Sequence, residues 1–227
     1  NIHGKSGLGA SLDLYARGTP SDKNGADFII EMARKYTGKL EILSLGPLTD
    51  VALALEKAPE IANAIACVTV MGGGIHAGNA TRYAEFNIVA DPEAASVVFS
   101  SGVKTVMIGL DATNLCYQPR SDIELLRAPT ELGKIVPAML SSYADVYRQV
   151  HNIDGMMIHD AICAVYLWRP ELFTCMKCRM TVCLEDGEHL GQTIPEAGDT
   201  CLAATSCDAQ AIREEILSVM RQVVTAH

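Results

Sequence analysis

Apolar and polar positions along this chain follow two rhythms. Short, largely apolar runs, the mark of strands covered on both faces, stand at Leu40–Leu45, Ile65–Met71 and Thr105–Leu110. Helical spacing fills the gaps. Over Lys23–Tyr36 the residues Ile29, Met32, Ala33 and Tyr36 share one face, with Gly38 placed to end the helix. Gly46-Pro47-Leu48-Thr49 turns the chain into a helix over Asp50–Lys57. Asp91 as N-cap and Pro92 in the first turn start another, which Gly102 ends. Further on, Ser121–Leu132 and Ile135–Val150 read as helices, His151–Ile158 as a loop, and His159–Trp168 as an apolar helix stopped by Pro170. Residues 178–194 read as a hairpin around Asp186-Gly187. A short strand near Cys201–Ala204 and a helix over Asp208–Val224 close the chain.

Strand and helix alternate as far as Asp111, which predicts parallel strands joined by helical crossovers. The expected fold is α/β and Rossmann-like, a mostly parallel central sheet with flanking helices and a C-terminal helical and hairpin region. No linker rich in Pro, Gly or Ser divides the 227 residues, so one domain over 1–227 is expected. Hydrophobic residues make up 49%, which excludes a disordered chain. The net charge of −9 offers nothing to a phosphate backbone, so no nucleic-acid partner is expected. No apolar run approaches a membrane span, so no membrane partner is expected either. The chain starts at Asn1 rather than Met, so this end says nothing about targeting. Of eight cysteines, Cys67, Cys163 and Cys183 lie in apolar runs. Cys175 and Cys178 have a metal-like spacing, but Cys201 and Cys207 are badly spaced to complete a zinc site. Reduced thiols of an intracellular, cytoplasmic protein are the reading adopted here.

The chemistry concentrates in Met71–Asp91, MGGGIHAGNATRYAEFNIVAD. An apolar strand runs into three glycines and a polar loop, the kind of strand end at which open α/β sheets bind small ligands. Glu85 and Asn87 flank Phe86, so in an extended segment both polar groups point the same way. A carboxylate and an amide on one face, with Asn79 nearby, suit a polyhydroxylated ligand such as a sugar. The glycines fit neither the dinucleotide fingerprint nor the P-loop. His159-Asp160 is a second candidate: an N-capping aspartate in the ordinary case, an acid beside a metal ligand in the functional one. Tyr143 and Tyr147 lie four apart on one helix face, either as packing or as walls for a flat base.

Several segments together resemble the nucleoside hydrolases, the inosine-uridine-preferring family of N-ribohydrolases. They are HGKSGLG at 3–9, ILSLGPLTDVALAL at 42–55, the MGG…GN…AEFN…DPEAA run at 71–95, GLDAT at 109–113 and HDAICA at 159–164. The resemblance implies that Asn79, Glu85 and Asn87 hold the ribose hydroxyls, with Phe86 and Met71 lining that pocket. It implies a Ca²⁺ cofactor, with the Leu45 backbone carbonyl and the Asp160 carboxylate among its ligands. His159 would face the leaving base as general acid. His3 would lie near the base, and Tyr143 and Tyr147 on the base-contacting helix.

The sequence departs from the family in one large respect. The DxDxxxDD motif that supplies the catalytic base and most side-chain Ca²⁺ ligands has no counterpart here, and Asp13 is a lone aspartate. The chain is expected to begin at about the family's third βα unit, which at ~30 residues per unit leaves on the order of 60–80 residues outside it. The expected activity of the full-length protein is Ca²⁺-dependent hydrolysis of ribonucleosides to base and ribose, in a homodimer or homotetramer serving purine and pyrimidine salvage. The 227 residues alone are expected to be inactive. Two rivals stand beside this reading. One is a nucleoside- or ribose-binding module without chemistry. The other is a nucleotide-cofactor oxidoreductase, which the lack of GxGxxG disfavours.

Overall fold

The computed structural model describes residues 18–226; His3 and Asp13, with the expectations attached to them, lie outside these residues. In chain order the main elements are α1 (Gly25–Lys35), β1 (Leu40–Ser44), α2 (Thr49–Lys57), β2 (Ile65–Met71), α3 (Phe86–Val89), α4 (Pro92–Ser100), β3 (Thr105–Ile108) and α5 (Leu110–Thr113). There follow β4 (Tyr117–Pro119), α6 (Ser121–Glu124), α7 (Glu131–His151), β5 (Gly155–Met157), α8 (His159–Val165), β6 (Phe173–Val182), β7 (Thr193–Cys207) and α9 (Ala209–Ala226). They group into two compact units. Pro20–Leu115 and Tyr166–Cys207 form one; Cys116–Val165 and the segment from Asp208 onward belong to the other. The chain passes back and forth between the units, which is why no linker marks a division.

The first unit is built on a five-stranded sheet of order β1-β2-β3-β7-β6. β1, β2, β3 and β7 run parallel, and β6 is antiparallel to β7. The expected Rossmann-like, mostly parallel sheet with flanking helices is therefore present. β3 is buried at all four positions and β2 at its last four, in keeping with their largely apolar sequences. Val68, Val70, Met107 and Ala203 on the sheet share one core with Ala33, Leu55, Ile61 and Val98 outside it. Each fully buried Val, Leu or Ile contributes roughly 1.5–3 kcal/mol. β1 differs from the expected buried strand: its residues are half-buried or exposed, because it pairs on one side only, with β2. The hairpin and the late strand of the sequence reading prove to be continuous. β7 runs from Thr193 through Cys207, pairing with β6 at Thr193–Glu196 and again from Cys201 onward, with a break in register between, and with β3 at Cys201–Ala203.

The cysteine pattern has a packing explanation. Cys178 and Cys201 face each other across β6 and β7, both buried. Burial raises both thiols, Cys201 to about 12. Among the described residues no three His, Cys, Asp or Glu side chains gather as a metal group.

In the second unit the helix expected over Ser121–Leu132 shrinks to α6, and α7 begins earlier than expected, at Glu131. Thr130 is its N-cap, accepting from the Gly133 N–H at 2.9 Å. Pro137 inside α7 cannot donate to the Gly133 carbonyl, and the Ala128 N–H takes that acceptor at 3.3 Å. The expected loop at His151–Ile158 contains β5, antiparallel to β4. The C-terminal helix α9 is present, with the Asp208 carboxylate capping the Ala211 N–H at 3.0 Å. A small core of Ile123, Ala144, Tyr147 and Met156 fills this unit. No helix among the described residues is long and apolar enough to cross a membrane.

Asp91 is the N-cap the sequence predicts. One of its oxygens accepts from the Ala94 N–H at 3.0 Å, and the other accepts from the Thr49 hydroxyl, joining the starts of α4 and α2. Asp91→Ala is expected to lower stability by about 1 kcal/mol for the lost cap, read as a shift in the urea midpoint at unchanged slope.

Candidate functional site

The site grows from the carboxyl end of β2. Past Met71 the chain leaves the sheet through three buried glycines, and Gly73 adopts a positive φ of 75°. A side chain does not fit there: a Cβ on Gly73 would meet Met107 Sδ at 2.8 Å and Thr193 at 3.0 Å. Gly109, just beyond β3, is required for the same reason, since its Cβ would lie 2.6 Å from the Gly73 carbonyl oxygen. These glycines let the ends of β2 and β3 approach, and the Leu110 N–H bonds the Gly73 carbonyl at 2.9 Å.

Glu85 closes the segment from the other side. It is 2% exposed, and its Oε2 accepts from the N–H groups of Gly73 at 3.1 Å, Asn87 at 2.9 Å and Ile88 at 3.3 Å. This overturns the extended reading of Glu85–Asn87. Glu85 is the N-cap of α3, and Phe86 already lies in its helical turn. The capping bonds favour the turn, and Ile88, 1% exposed, buries it. Glu85 and Asn87 nonetheless both reach the end of β2. The Asn87 Nδ2 donates to the Met71 carbonyl at 3.0 Å and lies 3.4 Å from Met71 Sδ. Asn79 joins them, its Oδ1 accepting from the Phe86 N–H at 2.8 Å.

Each of the three side chains thus fixes one polar atom on the backbone. The Asn79 Nδ2, the Glu85 Oε1 and the Asn87 Oδ1 are not used in these bonds. They amount to one donor and two acceptors, a set matched to hydroxyl groups, which both donate and accept. Met71 is buried beneath them, whereas Phe86 is 62% exposed, an uncovered ring at the edge. Leu45, also exposed, follows Ser44, the register partner of Val70, so its carbonyl stands at this same end of the sheet.

Two residues at the site escape sequence reasoning. Thr193 Oγ1 accepts from the Gly74 N–H at 3.0 Å and donates to the Gly74 carbonyl at 3.1 Å. Asp111, which the sequence offers as a strand end and within the GLDAT segment but without this contact, lies in α5 and accepts from the N–H groups of Ile75 at 2.6 Å and His76 at 3.0 Å. Both act on backbone amides far along the chain, a contact that no local pattern announces.

The remaining candidates lie in the second unit. His159 and Asp160 open α8, directly after β5. Burial holds the His159 imidazole below its ordinary value, so it is neutral at neutral pH. Asp160 is exposed. On α7 the rings of Tyr143 and Tyr147 meet edge to face at 5.0 Å, and His151 extends the row at 4.9 Å from Tyr147. Tyr147 is 8% exposed and belongs to the small core. Tyr143 is half-buried; burial first, then Tyr147 and the Asp160 charge, raise its phenol.

A mostly parallel sheet with amide and carboxylate side chains converging beyond a central strand defines the class as an α/β protein, and in open α/β sheets that carboxyl edge is where small ligands bind. Comparison with known proteins narrows the class. The family model described as inosine-uridine preferring nucleoside hydrolase matches residues 1–215, and the chain belongs to that family. It is 37% identical over 179 residues to the pyrimidine-specific ribonucleoside hydrolase RihA of Salmonella newport, covering 77% of this chain and 57% of that protein. It is 34% identical over 203 residues to the non-specific ribonucleoside hydrolase RihC of Escherichia coli, covering 89% and 65%. The chain therefore spans about three-fifths of the length of these curated relatives. Among solved structures, the purine-preferring ribonucleoside hydrolase of Gardnerella vaginalis matches with a TM-score of 0.95 and 30% identity, over 100% of this chain and 74% of that one. The plant nucleoside hydrolase PpNRh1 matches with a TM-score of 0.90 and 29% identity, over the same shares.

Burial raises the Glu85 carboxyl above its ordinary 4.5, outweighing the amides of Asn87, Gly73, Ile88 and Phe86 that lower it. The unfolded chain therefore ionises first. The folded protein keeps its proton to higher pH, so this group's contribution falls as pH rises from 4.5 through the folded value. Glu85→Gln removes the linkage. The stability of the variant relative to wild type is expected to improve steadily as pH rises above 4.5. Urea unfolding of both proteins between about pH 4 and 7 reads it; a flat difference would contradict the assignment.

Proposed function

We propose that the whole protein hydrolyses the N-glycosidic bond of ribonucleosides to free base and ribose, and that Asn79, Glu85 and Asn87 hold the sugar. The observation that carries this reading is the meeting of the three side chains at the end of β2, each anchored to backbone by one polar atom. The family membership and the ribonucleoside hydrolase names of its relatives support it. Salvage of purines and pyrimidines in the cytoplasm, by a homodimer or homotetramer, belongs to the same proposal and rests on the family likeness alone.

Cleavage of an N-glycosidic bond builds oxocarbenium character on the ribose. Hydroxyl contacts from a pre-anchored carboxylate and two amides fix the sugar in the geometry that reaction needs. His159 is the proposed proton donor to the leaving base; only its imidazolium form can transfer the proton, and burial, by lowering its value, makes that form scarcer and more acidic. Tyr143 keeps its proposed place toward the base, and Tyr147 supports it from the core. Calcium is proposed for the whole protein only. This chain would contribute the Leu45 carbonyl and the Asp160 carboxylate, whereas Ca²⁺ takes ~6–8 oxygens. With no three acidic, His or Cys side chains gathered among the described residues, these two oxygens do not make a calcium site. The 227 residues alone are proposed to show no turnover.

In the whole protein, Asn87→Ala and Glu85→Ala are each expected to reduce kcat/KM for inosine and uridine. An unpaired hydroxyl in a buried site corresponds to ~1–3 kcal/mol, about ten- to a hundredfold. Steady-state kinetics near wild type in both variants would remove the sugar assignment. His159→Ala is expected to slow inosine by ~10²–10⁴-fold, the usual loss of a general acid. It should spare p-nitrophenyl riboside, whose leaving group needs no proton. Equal losses on both substrates would make His159 a structural residue.

A further inference from the structure

The segment that carries Asn79, Glu85 and Asn87 has little regular structure of its own. Its single helical turn, α3, is four residues long. Its shape is set instead by a part of the chain more than a hundred residues away, the tip of the β6–β7 hairpin, which touches it at three separate places. At the near end, Thr193 bonds both the N–H and the carbonyl of Gly74. In the middle, Ala84 forms an antiparallel bridge with Gln192, and the Thr81 hydroxyl donates to the Glu188 carbonyl at 3.1 Å. Here too the His189 ring stacks on Tyr83, centroids 4.0 Å apart and planes 22° apart, with the Arg82 guanidinium 5.6 Å from the Tyr83 centroid. Gln192 Oε1 lies 2.6 Å from His189 Nδ1 and orients that ring. At the far end, Gly191, at φ 79°, packs so closely on Val89 that a Cβ would come within 2.9 Å of it.

We propose that the hairpin tip is the template that positions the ribose-holding side chains, with Thr193 and His189 as its positioning residues. The inference rests on the sugar assignment made above. Asn79 and Glu85 bracket the very stretch, Thr81–Ala84, that the hairpin pins. Releasing the pin lets the two side chains drift apart while the sheet below stays intact. The tip thereby becomes a determinant of how strictly the sugar is recognised, although none of its residues need touch the substrate.

The test uses the whole protein with Thr193→Val, His189→Ala and His189→Phe. Amide hydrogen exchange over residues 74–89 and steady-state kinetics on inosine and 2′-deoxyinosine are measured on each, with the thermal midpoint alongside. Thr193→Val and His189→Ala are expected to speed exchange in this segment. They should raise KM for inosine more than they change kcat, and narrow the preference for inosine over 2′-deoxyinosine; misplacement of this kind can reach about 10²-fold in rate. His189→Phe keeps a ring against Tyr83 and is expected to restore most of the preference. His189 is exposed, so its variants fold even if Thr193→Val does not. A wild-type preference and wild-type exchange in His189→Ala, with the preference lost in Asn87→Ala, would overturn the positioning role. An unchanged preference in Asn87→Ala itself would instead remove the sugar assignment, and this inference with it. A loss in His189→Ala that His189→Phe does not recover would show that ring stacking is not the device.

Discussion

One oxygen atom, Glu85 Oε2, gathers the amides of Gly73, Asn87 and Ile88 in a place almost closed to water. A buried carboxylate is costly unless its oxygens are bonded. Three N–H groups converge on this one, and that convergence makes the position tolerable. It also sets local geometry. The bond to Gly73 ties the segment to the end of β2, and the bonds to Asn87 and Ile88 start the turn of α3. Because the turn starts there, Asn87 comes back over Met71 rather than continuing outward. Burial raises the carboxyl above its ordinary value and outweighs the pull of the amides.

Around that atom the fold supplies closeness of backbone. Gly73 and Gly109 have no room for a Cβ, and the ends of β2 and β3 meet through them. Asp111 and Thr193 then bind the amides that follow, Ile75 and His76 on one side and Gly74 on the other. The result is a polar loop in which several backbone groups are satisfied by side chains. Others pair backbone to backbone, three N–H groups converging on the Ala84 carbonyl.

Much of this was legible in the sequence. Largely apolar runs marked β2 and β3 because strands covered on both faces admit few polar residues. Asp91-Pro92 marked the start of α4 because capping is a contact between near neighbours. The motif GN…AEFN…DPEAA groups Asn79, Glu85 and Asn87. Alternation misled at Glu85–Asn87, where a period of two fitted the residues but a capped turn won. Periodicity also left Tyr143 and Tyr147 undecided, since one helix face serves a core or a pocket equally well; burial puts Tyr147 in the core.

The sequence by itself determined the class of fold and the order of strands and helices through Asp111, which depend on local periodicity and on contacts within a few residues. Asn79, Glu85 and Asn87 were picked out by a motif, not by periodicity. Only the tertiary structure decided that β7 is one long strand serving both the parallel sheet and the hairpin. It alone decided that Thr193 and His189 grip the loop around Asn79, and that Asp111 holds its backbone. Those contacts join residues about 35 to 120 positions apart. Nothing local in the chain encodes them; they arise when the sheet brings the strand ends side by side.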